Sequence, residues 1–210
     1  MTAIIAQVRQ ALALADFDAA AAQRKMAPIN RSEVRPANLS GAARLGGVLA
    51  LFYRRAGIWH IVLTRRRDDM PSHPGQISFP GGRNRAPESV LETALRETEE
   101  EIGVTQETVE ILGALTPIYV PPSDYEVHPF VARYTGEDGP TFRAQPREVA
   151  QVIEAPLAAL LDPGARVEET RHVGGQDIRV PYFALGEHKV WGATAVMLSE
   201  LVERLRVVGD

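Results

Sequence analysis

The chain has 210 residues, 45% of them hydrophobic and 24% charged, which fits one generous globular domain or two small ones and argues against disorder. Its 23 Lys and Arg against 27 Asp and Glu leave a formal charge of -4, without the basic excess of a protein that coats nucleic acid or an anionic membrane. With 0 Cys, disulfides, thiolate metal sites and a cysteine nucleophile are excluded.

The opening decapeptide lacks a basic leader followed by a continuous apolar core, and no stretch approaches the roughly 18 apolar residues of a spanning helix. A cytoplasmic protein is the expectation. Residues 2–24 are alanine-rich and predict one helix, with Ile5, Val8, Leu12 and Ala15 near helical spacing. Residues 30–43, with Pro36, Asn38, Ser40 and Gly41, predict a connector, so that a helical extension over 1–43 precedes a main domain over 44–210. Strands are predicted over 46–53 and 58–64, then a turn-rich loop over 71–82 that contains one short apolar piece, Ile77–Phe79. Pro87 to Ile102 predicts a helix, with proline at its first position and Gly103 at its end. Further strands are expected over 109–120 and 127–134, a polar loop over 136–147 and a strand over 148–154. A hairpin follows, with strands over 166–173 and 177–185 around Gly174-Gly175-Gln176. A closing helix runs from about Thr194 to Arg206, burying Leu198, Leu201, Val202 and Leu205. Mixed strands with few helices indicate one α+β or layered α/β domain.

The predicted helix ends in Arg96-Glu97-Thr98-Glu99-Glu100-Glu101, and such a run of carboxylates repels itself unless something offsets the cost. At about 100° per residue, Leu91, Leu95, Thr98 and Ile102 share the face expected to meet the core. Glu97 and Glu101 fall about 40° apart beside that face, Glu100 about 60° beyond Glu97, and Glu99 on the other side. Two readings follow from spacing alone: a solvated acidic face with Arg96 pairing Glu92 or Glu100, or an oxygen-rich site for a hard divalent cation.

Gly82, five residues, Glu88, seven residues, and then Arg96-Glu97-Thr98-Glu99-Glu100-Glu101-Ile102-Gly103-Val104 resembles the Nudix box, Gly-x5-Glu-x7-Arg-Glu-U-x-Glu-Glu-x-Gly-U, where U is bulky and aliphatic. Every fixed position matches, and Thr98 at the first U position is the one departure. The resemblance implies a Nudix fold, a mixed β-sheet sandwiched between helices, here with an extra N-terminal helix. It implies hydrolysis of a nucleoside diphosphate linked to another moiety, with Mg2+ or Mn2+ as cofactor. It makes Glu97, Glu100 and Glu101 metal ligands, brings the Gly82 backbone close to metal or phosphate, and makes Glu88 and Arg96 braces for the loop and helix.

The flanks resemble one branch of that family. Val62-Leu63-Thr64-Arg65-Arg66-Arg67, then Pro71 and Gly75-Gln76-Ile77-Ser78-Phe79-Pro80-Gly81-Gly82, is similar to the signature of coenzyme A pyrophosphatases, Leu-Leu-Thr-x-Arg-Ser-x3-Arg-x3-Gly-x3-Phe-Pro-Gly-Gly. Arg67 stands where that signature has Ser, and Pro71 where it has its second Arg. The expected substrate is coenzyme A or an acyl-CoA, with Arg65, Arg66, Arg67, Gly81 and Gly82 against it. Pro71 removes a cation, which keeps ADP-ribose, NADH and dinucleoside polyphosphates as alternative substrates. A non-catalytic nucleotide-binding module is the remaining alternative. Glu100 is the first candidate for the general base and Glu148 the second, a solvated loop acid being the other reading of Glu148. Tyr119 and Tyr125 are candidates for stacking on a base or for packing, and the five His show no metal-ligand spacing. The N-terminal helix suits either a homodimer contact or a cover for the sheet; neither a nucleic acid nor a membrane partner is expected.

Overall fold

The computed structural model describes residues 2–27, 35–173 and 175–209. The described residues fall into two compact units, one within Ser32–Leu157 and the other within Met1–Arg31 and Ala158–Asp210.

The first unit is built on β1 (Arg44–Arg55), whose run Leu49-Ala50-Leu51-Phe52-Tyr53 is wholly buried. Such a continuous apolar run is what a strand covered on both faces requires. β1 pairs antiparallel with β2 (Ile58–Arg66) and with the short β4 (Gly81–Arg83), and parallel with β7 (Tyr125–Tyr134). β3 (Ile77–Ser78) and β8 (Val149–Pro156) extend the sheet beside β2, while β5 (Val109–Ala114) and β6 (Ile118–Val120) pair with β7. The sheet is thus mixed. The predicted strand over 109–120 is two strands, broken over 115–117.

α3 (Val90–Ile102), the third helix in chain order, packs across β1. It starts later than the expected Pro87 because Ser89 caps it: the Ser89 hydroxyl accepts the Glu92 N–H at 3.2 Å and the Glu92 carboxylate accepts the Ser89 N–H at 2.6 Å. That reciprocal pair satisfies two N–H groups that a start at Pro87 would leave to water. Gly103 ends the helix as expected, with φ 73° and its N–H on the Glu99 carbonyl. The packing is close because Gly47 has no side chain: a Cβ there would lie 2.0 Å from the Val90 carbonyl oxygen. Leu49, Leu51, Tyr53, Val62, Ala94, Ile102, Val104 and Ala132 form the core between helix and sheet. The buried stripe of α3 is turned from the expected one. Thr93, Ala94, Glu97, Thr98, Glu101 and Ile102 face inward, while Leu91 and Leu95 are half-buried. Thr98 fits this interior because its hydroxyl donates to the Ala94 carbonyl at 2.7 Å.

In the second unit, the expected single helix over 2–24 is two, α1 (Thr2–Leu12) and α2 (Ala19–Arg24). The break follows from Asp18, whose carboxylate accepts the Ala21 N–H at 2.8 Å and starts a new helix. Both helices pack on α5 (Gly192–Gly209). Arg204 of α5 lies 4.3 Å over the Phe17 ring, pairs with buried Glu200 at 2.9 Å and donates to the Ala11 carbonyl near the end of α1. Ser199 likewise donates to the Ala22 carbonyl at 2.6 Å. The predicted hairpin is β9 (Arg166–Val173) and β10 (Gln176–Leu185), followed by β11 (His188–Trp191); Gly174 of the expected turn lies outside the described residues. α4 (Leu157–Leu161) lies where the chain passes between the units. Of the connector predicted over 30–43, residues 30–34 lie outside the described residues and 35–43 form no helix or strand. Among the described residues, no helix is long and apolar enough to cross a membrane.

Candidate active site

The site lies where α3 crosses β4. Glu97 and Glu101, one turn apart on the inward face of α3, are 8% and 7% exposed. Carboxylates at that depth need either donors or a cation. Glu101 has one hydrogen-bond donor among the described residues, the Gly81 N–H at 3.4 Å. Burial pushes its carboxyl up to about 8, the negative charge of Glu97 adds to the shift, the Gly81 N–H opposes it, Glu148 raises it further and Arg66 draws it down. Gly82 is pressed against Glu97, since a Cβ at residue 82 would meet the Glu97 carboxylate carbon at 2.6 Å. The diglycine therefore lets main chain, rather than side chain, line the carboxylate pair.

Behind the pair stands a guanidinium brace. Arg96 binds Glu88 through two hydrogen bonds of 2.9 Å and reaches Glu97 at 2.7 Å and Glu100 at 3.2 Å. Glu88 also accepts the Arg85 N–H at 2.8 Å and the Thr93 hydroxyl at 3.0 Å. The Arg96 guanidinium above all, with these two donors, holds the Glu88 carboxyl down at about 2. Glu88 and Arg96 thus join the loop after Gly82 to the middle of α3.

Glu148 immediately precedes β8, which begins opposite Arg66 of β2. Its backbone is set by the loop over 136–147, which Arg55 holds through the Pro140 carbonyl at 2.7 Å and Phe142 holds by its edge-on contact with Tyr53. The Arg67 N–H donates to the Glu148 carbonyl at 3.0 Å. A bulge in β2 between Arg65 and Arg66 breaks the strict alternation there. Arg66 has an Nη1 3.7 Å from the Glu148 carboxylate and donates through Nε to the Ser72 carbonyl.

The site residues expected from sequence divide accordingly. Glu97, Glu101, Gly81 and Gly82 come together, and Glu148 and Arg66 lie close enough for their charges to act on Glu101. Glu100 is on the outer side of the brace, half-exposed and bonded to Arg96. Arg65 and Arg67 are each committed to an aspartate of the following loop, Asp68 and Asp69, at 2.6 Å. Among the described residues no three acidic or histidine groups are drawn together into a metal cage. Tyr119 donates to Asp124 at 3.0 Å, and Tyr125 lies under the Arg44 guanidinium at 4.7 Å. His60 stacks on Tyr53, while His73, His128 and His172 pair with Gln76, Glu126 and Asp177. Sequence reasoning passed over Arg85, whose guanidinium stands 3.7 Å from the Glu97 carboxylate; its signal was a basic residue inside the five-residue gap between Gly82 and Glu88. It also passed over Asn84, which ties that gap together by donating to the Glu88 carbonyl at 2.8 Å and the Thr93 hydroxyl at 3.0 Å.

Comparison with known proteins places the chain in a family. The NUDIX domain family matches residues 43–173. The Nudix hydrolase NudL of Photorhabdus laumondii is 34% identical over 148 residues, covering 70% of this chain and 78% of the relative. NudL of Yersinia enterocolitica is also 34% identical over 148 residues, covering 70% of this chain and 74% of its own. Among solved structures, the Nudix hydrolase RenU of M. smegmatis superposes with a TM-score of 0.53 at 13% identity, over 80% of this chain and 87% of that one. The MutT protein of Methanosarcina mazei Go1 gives 0.52 at 17% identity, over 82% and 99%. At these identities the structures speak to fold alone, and the fold they share with this chain is the mixed sheet with flanking helices. With its motif, its fold and its relatives in agreement, the chain belongs to the Nudix hydrolase family.

Proposed function

We propose that the protein hydrolyses the diphosphate bond of a nucleoside diphosphate derivative with the help of a divalent cation, and that its substrate is coenzyme A or an acyl-CoA. The observation that carries the reading is the buried pair Glu97 and Glu101 against the Gly81-Gly82 main chain, in which Glu101 has a single long donor among the described residues. A donor set of buried carboxylate oxygens suits Mg2+ or Mn2+, which Glu97 and Glu101 would hold, with Glu100 reaching in only by leaving Arg96. Such an ion supplies positive charge against the diphosphate oxygens and favours ionisation of water.

The remaining work falls to the chain itself. The main chain of Gly81 and Gly82 lies directly against the carboxylates, with the Gly81 N–H donating to Glu101. Arg66 presents a planar cation at the same edge and holds Glu148 in place. Glu148, near enough to Glu101 to act on its charge, accepts the proton of the attacking water; Glu100, tied to Arg96, is less well placed to do so. Water oxygen bonds to one phosphorus as the bond to the bridging oxygen breaks. From coenzyme A the two products are 3′,5′-ADP and 4′-phosphopantetheine.

The coenzyme A assignment is supported by the run from Leu63 to Gly82 and by Arg66 at the site. A second reading, another nucleoside diphosphate derivative such as ADP-ribose, NADH or a dinucleoside polyphosphate, is favoured by the pairing of Arg65 with Asp68 and Arg67 with Asp69 around Pro71. Mass-spectrometric product analysis on coenzyme A, ADP-ribose, NADH and diadenosine polyphosphates with Mg2+ or Mn2+ tests both. Preferential release of 3′,5′-ADP from coenzyme A is the expected result. Preference for another compound moves the substrate, and no turnover of any of them overturns the hydrolase reading in favour of nucleotide binding alone.

A further inference from the structure

Most arginines around the site are already engaged. Arg65 and Arg67 are bound to Asp68 and Asp69, Arg96 is divided among three glutamates, and Arg66 donates through Nε to Ser72 while its Nη1 faces Glu148 at 3.7 Å. Arg85 differs. Its side chain is 65% exposed, and among the described residues its guanidinium makes no hydrogen bond; the nearest carboxylate oxygen, on Glu97, is 3.7 Å away. Glu97 has the closer Arg96 guanidinium at 2.7 Å, so Arg85 is not needed to balance it.

The backbone beneath Arg85 is nevertheless held firmly. The Asn84 N–H donates to the Leu45 carbonyl at 2.9 Å and the Arg85 N–H to Glu88 at 2.8 Å, while the Asn84 side chain clips the loop to Glu88 and Thr93. A cation with free donors on a fixed platform, at the rim of a buried carboxylate pair, is arranged for an anion that arrives from solvent. We propose that Arg85 binds a non-bridging oxygen of the substrate diphosphate at the mouth of the site, and so determines affinity for diphosphates whatever they carry. The assignment rests on the pyrophosphohydrolase reading and deepens it.

The test combines calorimetric binding of imidodiphosphate, whose P–N–P link replaces P–O–P, with steady-state kinetics on the preferred substrate, both in Mg2+. Arg85→Ala is expected to weaken imidodiphosphate binding and raise KM by roughly tenfold or more, as losing a charge-assisted hydrogen bond requires. Arg85→Lys recovers part of the loss, since the charge returns without the planar fork. kcat stays within about twofold, as expected for binding shared by ground and transition states. Arg179→Ala, the same charge deletion in the other unit, leaves both constants unchanged and rules out an effect of net charge. Unaltered binding and KM in Arg85→Ala overturn the inference while leaving the function standing; so does a fall in kcat alone, which makes Arg85 a support for Glu97. A wild-type protein that neither hydrolyses a diphosphate nor binds imidodiphosphate overturns the function, and the inference with it.

Discussion

The Gln145 backbone N–H donates to the Glu101 carbonyl at 2.8 Å, so the residue whose carboxylate lines the site also anchors, through its main chain, the loop that delivers Glu148. The Arg143 N–H does the same for the Ile102 carbonyl at 2.9 Å. These two bonds satisfy carbonyls that the end of α3 would otherwise leave to water. Gln145 in turn accepts the N–H groups of Glu148 and Val149 on its own carbonyl, which starts β8.

Gln145→Pro removes that N–H and keeps the carbonyl. Stability is expected to fall by about 1–3 kcal/mol, the cost of an unpaired carbonyl near the interior. Turnover is expected to fall on the order of tenfold to a hundredfold through displacement of Glu148. Urea melts alongside kcat measure both, and unchanged kcat in the folded variant would show that the loop does not set Glu148.

Two carboxylates give opposite pH dependences. In metal-stripped protein Glu101 is raised to about 8 against about 4.5 unfolded, so the folded state holds its proton more tightly. The stability this supplies is full below about pH 4.5 and is lost as pH rises through about 8, by on the order of a few kcal/mol. Glu101→Gln removes that slope and most of the turnover while keeping the fold. Glu88, held down at about 2 chiefly by Arg96, has the reverse sign: its contribution is present above about pH 4.5 and is lost as pH falls toward 2. Glu88→Gln should lower stability at neutral pH and shrink the acid-induced loss. Melting each metal-free variant across pH 2–9 separates the two, and a Glu101→Gln profile parallel to wild type would contradict the burial of that carboxyl.

Two glycines a few ångströms from α3 should fail in different ways. Gly47→Ala drives a Cβ toward the Val90 carbonyl, rigid main chain, and is expected to cost about 3 kcal/mol as the helix is pushed off β1. Gly82→Ala meets the Glu97 carboxylate, the movable end of a side chain, so activity should fall far more than stability. Thermal melts and kcat on the pair test this; the reverse ranking would mean that Gly82 serves packing rather than the site.

What the sequence made legible was whatever local spacing encodes. The end of α3 at Gly103, the strand over 46–53 and the pairing of Arg96 with Glu100 all rest on fixed offsets. The break at Asp18 escapes a reading by alanine propensity because its cap is a single carboxylate acceptor before α2. The depth of Glu97 and Glu101 was missed for another reason. A helical wheel takes its inward face from the apolar residues, whereas here Gly47 and Gly82 admit α3 so closely that carboxylates fill that face. The engagement of Arg65 and Arg67 depends on a reversal of the chain over Asp68 and Asp69, which no offset within the strand announces.

The second unit joins residues before position 32 to residues after 157, with α1 and α2 packed on α5. During synthesis, therefore, the sheet and α3 can close while Ile5, Val8, Ala11 and Met26 still await the helix that buries them. These residues are made before the sheet yet are buried only after it has closed, so their apolar faces stay open to solvent in the interval.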